Sequence, residues 1–210
     1  IRHGLRTFNT TFFQAPGRMN VFDEHPFKVI LDYAHNPAAV GAMCQLSDRL
    51  DVIGRRVCVI SSPGDRRDED VNALASTAAG HFDHYICKAD DDRRGRGDTE
   101  IPEMIRAQLI LEGVNESAIE MIADEQASVA HALDFCDAGD LLVVFGDDIT
   151  RCWKQIINVK TDDSGLEIEN RKENGSEATE VVEHFELSDG QSLIRDERGV
   201  RIAKTEEGDD

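Results

Sequence analysis

The stretch Val29-Ile30-Leu31-Asp32-Tyr33-Ala34-His35-Asn36-Pro37 decides the fold, because an apolar run stops at a carboxylate and turns into a helical pattern. Its first three residues predict a strand that is buried on both faces. Pro37 suits the first turn of a helix, and Asn36 suits its N-cap. In an open parallel sheet, ligands bind outside the carboxyl ends of the strands. Asp32, Tyr33, His35 and Asn36 are therefore candidate ligand-binding residues. The alternative is that Asp32 and Asn36 only cap a helix and that His35 is solvated.

A regular alternation of apolar runs and helical patterns follows this stretch. Further strands are predicted at 56–61, 84–89, 118–123 and 141–145, and helices at 37–50, 68–80, 101–112, 126–136 and 149–159. Strands that alternate with helices indicate βαβ units and a parallel sheet covered on both faces. The sequence therefore predicts an α/β fold: a Rossmann-like three-layer α/β/α domain with a mostly parallel sheet.

The composition divides the chain into three segments. Residues 1–26 are interpreted as a linker, residues 27–159 as the Rossmann-like domain and residues 160–210 as an acidic tail. Within the tail, strand-like segments at 180–187 and 191–203 flank Ser188-Asp189-Gly190, which favours a β-hairpin. The chain begins with Ile1 and shows no apolar signal region, so we interpret it as part of a longer protein.

Charge and cysteine content restrict the partners. The chain has 210 residues and a net charge of -19, which argues against nucleic acid and membrane as partners because phosphate contacts need clustered Lys and Arg. The five cysteines form no Cys-x-x-Cys pair, which is typical of reduced thiols in a cytoplasmic protein. The histidines share no metal-ligand spacing with the cysteines, so no metal site is expected.

Several motifs, in this order, resemble one enzyme family. The hexapeptide Asp32–Pro37, preceded by Pro16–Phe22, resembles the start of the C-terminal domain of Mur-type ATP-dependent amide ligases. The segments Pro63–Asp70, Asp90–Arg96 and Arg195–Arg201 are similar to the cyanophycin synthetase branch of that family. The resemblance extends over nearly the whole chain.

The resemblance implies that this chain supplies part of an ATP site. The residues expected to face the nucleotide are Arg18, Asp32, His35 and Asn36. The sequence contains no Gly-x-x-x-x-Gly-Lys-[Ser/Thr] phosphate loop. ATP with Mg²⁺ is therefore expected to be bound mainly by the family's central ATPase domain, to which residues 1–26 would connect. No catalytic residue is assigned to this chain.

Two charged loops follow predicted strands on the ligand edge. The same resemblance implies that they bind the incoming amino acid, with arginines on its carboxylate and acids on its cationic end. The substrate-binding candidates are Asp65, Arg66, Arg67, Asp91, Asp92, Arg93, Arg94 and Arg96, with Asp90 as a further acid. The alternative for the first loop is a turn followed by a capped helix. The alternative for the second is a surface loop of internal ion pairs, which contribute little to stability.

The resemblance implies an ATP-dependent carbon–nitrogen ligase that attaches arginine to the β-carboxylates of polyaspartate, the cyanophycin chain, through an acyl phosphate. The isolated chain is expected to be inactive. Two other interpretations are retained: another Mur-type ligase, such as a peptidoglycan-precursor ligase, and a non-catalytic Rossmann-like module that binds a nucleotide or a partner. The sequence leaves homo-oligomerisation open.

Overall fold

The computed structural model describes Phe12, residues 15–159 and two strands at 191–196 and 199–204. Contacts between residues divide the chain into two compact units, Ile1–Ile168 and Glu169–Asp210. Throughout the described ranges, every helix is too short or too polar to cross a bilayer.

The first unit is built on a six-stranded sheet. Its strands are β1 (Asn20–Phe22), β2 (Lys28–Asp32), β3 (Arg56–Ile60), β4 (His84–Cys87), β5 (Ile119–Met121) and β6 (Leu141–Phe145). They lie side by side in the order β1-β2-β6-β3-β4-β5. β2 to β6 are mutually parallel, whereas β1 pairs antiparallel with β2. The sequence of β6, Leu-Leu-Val-Val-Phe, is buried throughout because this strand lies between β2 and β3.

Five helices cover the sheet. They are α1 (Pro37–Arg49), α2 (Asp68–Ala78), α3 (Glu100–Leu111), α4 (Glu125–Phe135) and α5 (Ile149–Asn158), and a short 3-10 helix, Glu116–Ala118, precedes β5. The side-chain oxygens of Asn36, Asp124 and Asp148 each accept a hydrogen bond from the backbone N–H three residues later. These caps satisfy N–H groups that have no partner within the helix, so α1, α4 and α5 begin at defined residues.

The core has one layer on each face of the sheet. Ile30 of β2 and Val143 of β6 pack with α1, α2 and α3, while their neighbours Leu31 and Val144 pack with α4 and α5. Alternate residues of a strand point to opposite faces, so an apolar strand of this kind needs helices on both sides. The predicted three-layer α/β/α fold with a mostly parallel sheet is confirmed.

One strand of the sheet was not predicted. β1 lies within the segment that was interpreted as a linker, and its Asn20 stands opposite Leu31 of β2. A strand of three residues has too little pattern to be recognised, because its pairing partner and not its own sequence defines it. The end of the linker segment therefore contributes an antiparallel edge to the sheet.

The second unit contains a hairpin of β7 (Gln191–Asp196) and β8 (Gly199–Lys204), with Asp196 opposite Gly199. A hairpin in the tail was predicted, but with 191–203 as one strand. That prediction was wrong, because the polar residues 196–199 interrupt the apolar alternation of the segment. The predicted turn at 188–190 and the strand at 180–187 lie outside the described residues.

Candidate functional site

The carboxyl ends of β2, β6, β3 and β4 meet at one edge of the sheet, because these strands are parallel neighbours. A small depression at this carboxyl edge is lined by Tyr33, Ala34, His35, Ser61, Pro63, Asp90, Phe145, Gly146 and Asp147. From this edge α1 passes to one face of the sheet and α5 to the other. Such a reversal is where open α/β sheets bind ligands, so the depression is the candidate site.

Asp32 and Arg18 are brought together by the segment before β1. The backbone N–H of Met19 donates to the carboxylate of Asp32 at 2.8 Å. The N–H of Tyr33 donates to the carbonyl oxygen of Gly17 at 2.9 Å. The exposed Arg18 is therefore carried on a backbone that is fixed to the end of β2, beside the residue with which it was predicted to act.

His35 and Asn36 begin the connection to α1. Nδ1 of His35 lies 2.9 Å from the carbonyl oxygen of Tyr33, and the two rings pack edge to face with centroids 4.9 Å apart. Oδ1 of Asn36 accepts from the N–H of Ala39 at 3.0 Å, which confirms its prediction as an N-cap. The four residues predicted to face ATP thus share one end of the carboxyl edge, and their contact with ATP stays a prediction.

The β3 loop, residues 61–67, carries the first group of predicted substrate-binding residues. Asp65 forms an ion pair with Arg94, which belongs to the neighbouring β4 loop, residues 88–99. Arg66 is exposed, and Arg67 pairs with Asp70 at 2.9 Å in an open position. The Arg67–Asp70 contact is therefore a solvated ion pair, and exposed pairs of this kind contribute little to stability.

A glycine lets the two loops pack against each other. A Cβ atom added to Gly64 would lie 2.2 Å from the carbonyl oxygen of Arg93. Since no real Cβ approaches a backbone oxygen so closely, only glycine allows this contact. The β3 and β4 loops therefore form one packed surface.

Arg96 ties the same two loops together. Its five N–H groups find acceptors in the backbone oxygens of Gly64 and Arg66, the carboxylates of Asp68 and Glu100, and the sulfur of Met104. The hydrogen bonds to Asp68 and then to Glu100 raise the pKa of Arg96. The geometry favours a structural role for Arg96, because its guanidinium has no donor left for a substrate carboxylate.

Arg93 differs from its two neighbours in the loop. Arg94 is engaged by Asp65, and its backbone N–H donates to Asp92 at 3.0 Å. In contrast, Nε and Nη1 of Arg93 are buried and have no hydrogen-bond partner among the residues that the structure describes. Arg93 forms an ion pair with Asp98, whose Oδ1 lies 3.6 Å from Nε, too far for a hydrogen bond. Buried donors without a hydrogen bond are costly and uncommon, so Arg93 is the least satisfied arginine of the β4 loop, and its contact with a substrate carboxylate stays a prediction.

Beneath the depression lies a buried charge network that the sequence did not reveal. Lys88 and Glu125 are fully buried, with Nζ and Oε1 2.9 Å apart, and Nζ also lies 3.3 Å from Asp90. Arg151 joins Glu125 to Asp91, with both contacts at 2.6 Å. Asp91, predicted to bind the cationic end of the substrate, is thus already neutralised by Arg151.

One residue of this network, Lys88, could have been noticed in the sequence. Lys88 directly follows the apolar strand β4, and a lysine in a buried strand requires a buried counter-charge. The pattern does not identify that counter-charge, since Glu125 reads as an ordinary acid in the first turn of a helix.

The environment pushes the pKa values of two acids in opposite directions. Burial alone would raise the pKa of Glu125, but the charge of Lys88, the N–H of Asp147 and Arg151 outweigh it and lower that pKa to about 2. Burial, followed by the charge of Asp90, raises the pKa of Asp147. Asp90 and Asp147 thus concentrate negative charge in the depression, and a cationic group bound there would relieve it.

The chemistry available in this site is ionic. Within the described ranges, no three His, Cys, Asp or Glu side chains are grouped so that they could hold a metal ion. The residues described therefore do not fit a Mg²⁺ cage. All five cysteines are buried and unpaired, and burial raises the pKa of Cys87 to about 12, so that thiol is neutral and unreactive. The arrangement can bind and orient a charged ligand.

Comparison with known proteins places the chain among ligases. The family described as "Mur ligase, glutamate ligase domain" matches residues 17–147. A cyanophycin synthetase from Geminocystis herdmanii is 43% identical over 155 residues, which cover 71% of this chain and 17% of that protein. A UDP-N-acetylmuramoyl-L-alanyl-D-glutamate–2,6-diaminopimelate ligase from Syntrophomonas wolfei is 31% identical over 135 residues, 63% of this chain and 26% of that protein. The chain thus spans about a sixth of the cyanophycin synthetase it matches.

Solved structures share the fold. A UDP-N-acetylmuramoyl-L-alanyl-D-glutamate–2,6-diaminopimelate ligase superposes with a TM-score of 0.54 at 23% identity, covering 69% of this chain and 32% of that one. A bifunctional folylpolyglutamate synthase/dihydrofolate synthase from Yersinia pestis gives a TM-score of 0.54 at 22% identity, covering 74% and 33%. At these identities the comparison establishes a common Rossmann-like architecture.

Proposed function

Because the chain belongs to the Mur ligase family through its glutamate ligase domain, we propose that it is the amino-acid-binding C-terminal domain of an ATP-dependent amide ligase of the cyanophycin synthetase type. Support for that branch comes from its higher identity to a cyanophycin synthetase, 43%, than to a 2,6-diaminopimelate ligase, 31%. The ligase adds arginine to the β-carboxylates of polyaspartate, and this chain works with a central ATPase domain of the longer protein.

The observation that carries this proposal is the pair of unpartnered donors on Arg93, in the same loop as an acid of the depression. A free amino acid with a cationic side chain has a carboxylate at one end and a positive charge at the other. A guanidinium binds a carboxylate through two parallel hydrogen bonds, and acids bind a cation. Arg93 thus binds the arginine carboxylate, while Asp90 and Asp147 receive its guanidinium.

The remaining acids of the β4 loop have other partners. Asp91 is paired with Arg151 and Asp92 accepts from the backbone of Arg94, so both support the loop rather than face a substrate. Held between Arg93 and the depression, the substrate presents its α-amino group outward, toward the acyl phosphate of the acceptor chain. The neutral amine nitrogen forms the new bond to the acyl carbon and releases a proton to solvent, while the bond to the phosphate oxygen breaks and inorganic phosphate leaves. The contribution of this chain is proximity and orientation.

The nucleotide belongs mainly to the central ATPase domain, where it phosphorylates the acceptor carboxylate. We assign Mg²⁺ to that domain as well, since the described residues offer no metal cage. Arg18, Asp32, His35 and Asn36 complete the ATP site from the carboxyl edge. A guanidinium fork suits phosphate oxygens, and a carboxylate at a strand end accepts from ribose hydroxyls. The chain on its own is expected to hydrolyse no ATP.

The test is amino-acid-dependent turnover by the intact ligase. With ATP and a polyaspartate-based acceptor, arginine should support ADP release and amide formation, and lysine should be at least about tenfold poorer in kcat/KM because it lacks the planar fork. Turnover with diaminopimelate and a UDP-muramyl peptide instead of arginine would assign the chain to a peptidoglycan-precursor ligase. ATP consumption that no amino acid stimulates would leave only a non-catalytic binding module.

A further inference from the structure

Glu125 is a fully buried carboxylate that makes four close contacts. Its Oε1 accepts from Nζ of Lys88 at 2.9 Å and from the N–H of Asp147 at 2.7 Å. Its Oε2 accepts from the N–H of Asp148 at 3.1 Å and from Arg151 at 2.6 Å. Both oxygens are saturated from within the protein, so Glu125 does not contact a ligand.

The four donors come from both sides of the depression. Asp147 and Asp148 belong to the β6 loop, residues 146–148, whereas Lys88 begins the β4 loop. Arg151 continues from Glu125 to Asp91 of the β4 loop, and the N–H of Asp91 returns to the carboxylate of Asp147 at 3.2 Å. The contacts close a ring around one buried carboxylate, which lies at the first turn of α4.

We propose that Glu125 is a positioning residue for the amino-acid site: it holds the β4 loop and the β6 loop in fixed relative position, so that Asp90 and Asp147 converge on the depression. This inference rests on the function proposed above. Buried ion pairs are weak evidence for stability, because desolvation offsets their attraction. Small displacements of binding groups, in contrast, reduce turnover strongly.

A plain counter-charge would have a different geometry. To neutralise Lys88, a carboxylate needs only the one contact to Nζ, and Asp90 already lies 3.3 Å from the same atom. Instead, Glu125 also accepts two backbone N–H groups of the β6 loop, which carry no net charge. Backbone N–H groups fix where a loop runs, so these two contacts distinguish positioning from neutralisation.

Glu125→Gln in the intact ligase is the first variant. Glutamine has the same shape, but its single carbonyl oxygen replaces two acceptors, so two of the four donors lose their partner. The KM for the amino acid should rise roughly tenfold to a hundredfold, with the KM for ATP within about twofold of wild type. The double variant Lys88→Met/Glu125→Gln also removes the lysine charge that the single variant leaves unpaired. It should recover stability but not the amino-acid KM.

Asp140→Asn is the matched control. Asp140 is a buried carboxylate at the opposite edge of the sheet, where it pairs with Arg55 at 2.7 Å and accepts from the N–H of Asp137 at 3.0 Å. Its loss should lower the midpoint of thermal unfolding, as the loss of Glu125 does. The amino-acid KM should stay within about twofold, because no contact of Asp140 reaches the depression.

Amide hydrogen exchange on this chain gives a second, independent readout. In Glu125→Gln the amides of Asp147, Asp148 and Asp91 should exchange faster than in wild type, whereas Asp140→Asn should leave them unchanged. If Glu125→Gln does not fold, the double variant carries both measurements. If Glu125→Gln leaves the amino-acid KM unchanged, Glu125 is only a counter-charge to Lys88. The same conclusion follows if the double variant restores both stability and the amino-acid KM. If wild-type ligase shows no amino-acid-dependent turnover, the proposed function fails, and unchanged exchange at these amides would overturn the positioning role separately.

Discussion

Each edge of the parallel sheet contains a buried carboxylate that is paired with cationic side chains. The edge at the amino ends of the strands, the amino edge, and the carboxyl edge differ in whether the buried arginine nitrogens that the structure describes are all hydrogen-bonded. At the amino edge, the buried Asp140 pairs with Arg55 and also accepts from the backbone N–H of Arg55 at 2.6 Å. The guanidinium of Arg55 lies 4.4 Å above the ring of Phe135 and bonds to its carbonyl oxygen. The Arg55–Asp140 cluster at this edge thus satisfies its own charges.

At the carboxyl edge, the buried Glu125 is paired at least as fully, yet two arginines of this edge keep donors without a hydrogen bond. Among the described residues, the buried arginine nitrogens without a hydrogen-bond partner belong to Arg93 and Arg151, and both lie on this side. The acid Asp147 faces the depression with a raised pKa, because of burial and then the charge of Asp90. The difference indicates that the amino edge serves stability, whereas the carboxyl edge retains unsatisfied charge for a ligand.

Acid should weaken the carboxyl edge strongly. The pKa of Glu125 is lowered from 4.5 to about 2, so folded Glu125 holds fewer protons than the unfolded chain between those values. The ionised Glu125 thus adds about 3 kcal/mol to the free energy of unfolding. This stability is fully present above pH 4.5 and is lost as the pH falls toward 2. Urea unfolding of this chain and of Glu125→Gln from pH 6 to 2 checks this. The gap between the two should shrink with acid, and a constant gap would show that Glu125 is not ionised in the native state as described.

Alanine substitutions at two tightly packed glycines, one at each edge, can distinguish an effect on packing from an effect on ligand binding. A Cβ at Gly64 would overlap the carbonyl oxygen of Arg93 at 2.2 Å, and one at Gly54 would overlap Oδ1 of Asp140 at 2.1 Å. Gly64→Ala and Gly54→Ala should each cost about 2 kcal/mol of stability, since overpacking of this kind forces the backbone to move. Only Gly64→Ala should also raise the amino-acid KM. Equal kinetic effects would remove the distinction between the edges.

The substitution Asp32→Asn is expected to have the smallest effect on stability and kinetics. Asparagine keeps an oxygen that can accept from the N–H of Met19, so Asp32→Asn should hold stability within about 1 kcal/mol. Loss of the charge should raise the KM for ATP severalfold in the intact ligase, with the amino-acid KM unchanged. If ATP kinetics do not respond, while Asp32→Ala lowers the unfolding midpoint, Asp32 serves only to fasten the segment before β1.

The fold was largely predictable because each parallel strand is a buried apolar run and each helix has its own pattern and cap. Asn36 and Pro37 predicted the start of α1, and the Leu-Leu-Val-Val-Phe run predicted β6. The position of β6 between β2 and β3 was not predicted, because order in a sheet depends on contacts between distant segments. β1 was missed for the same reason.

The location of the candidate site could be predicted from the sequence, but the contacts between its side chains could not. The rule for strand ends located Asp32 and the β4 loop at one edge. It could not tell that all donors of Arg96 are used in loop contacts whereas two donors of Arg93 lack a hydrogen bond, since both are arginines in one charged run. Nor could it pair Lys88 with Glu125, which is far away in the sequence and meets it only in the folded sheet.

The most direct test of the division between the edges compares Arg93→Met with Arg55→Met in the intact ligase, measuring kcat/KM for arginine and the free energy of unfolding on the same preparations. Arg93→Met should lower kcat/KM on the order of a hundredfold, equivalent to about 2–3 kcal/mol of transition-state binding. It should not lower stability, because methionine removes buried donors that have no hydrogen bond. Arg55→Met should lower stability by about 2 kcal/mol, less than for a wholly buried pair because Arg55 is partly exposed, with kcat/KM within about twofold. If both variants lose stability and neither loses kcat/KM for arginine, the carboxyl edge is not the amino-acid site.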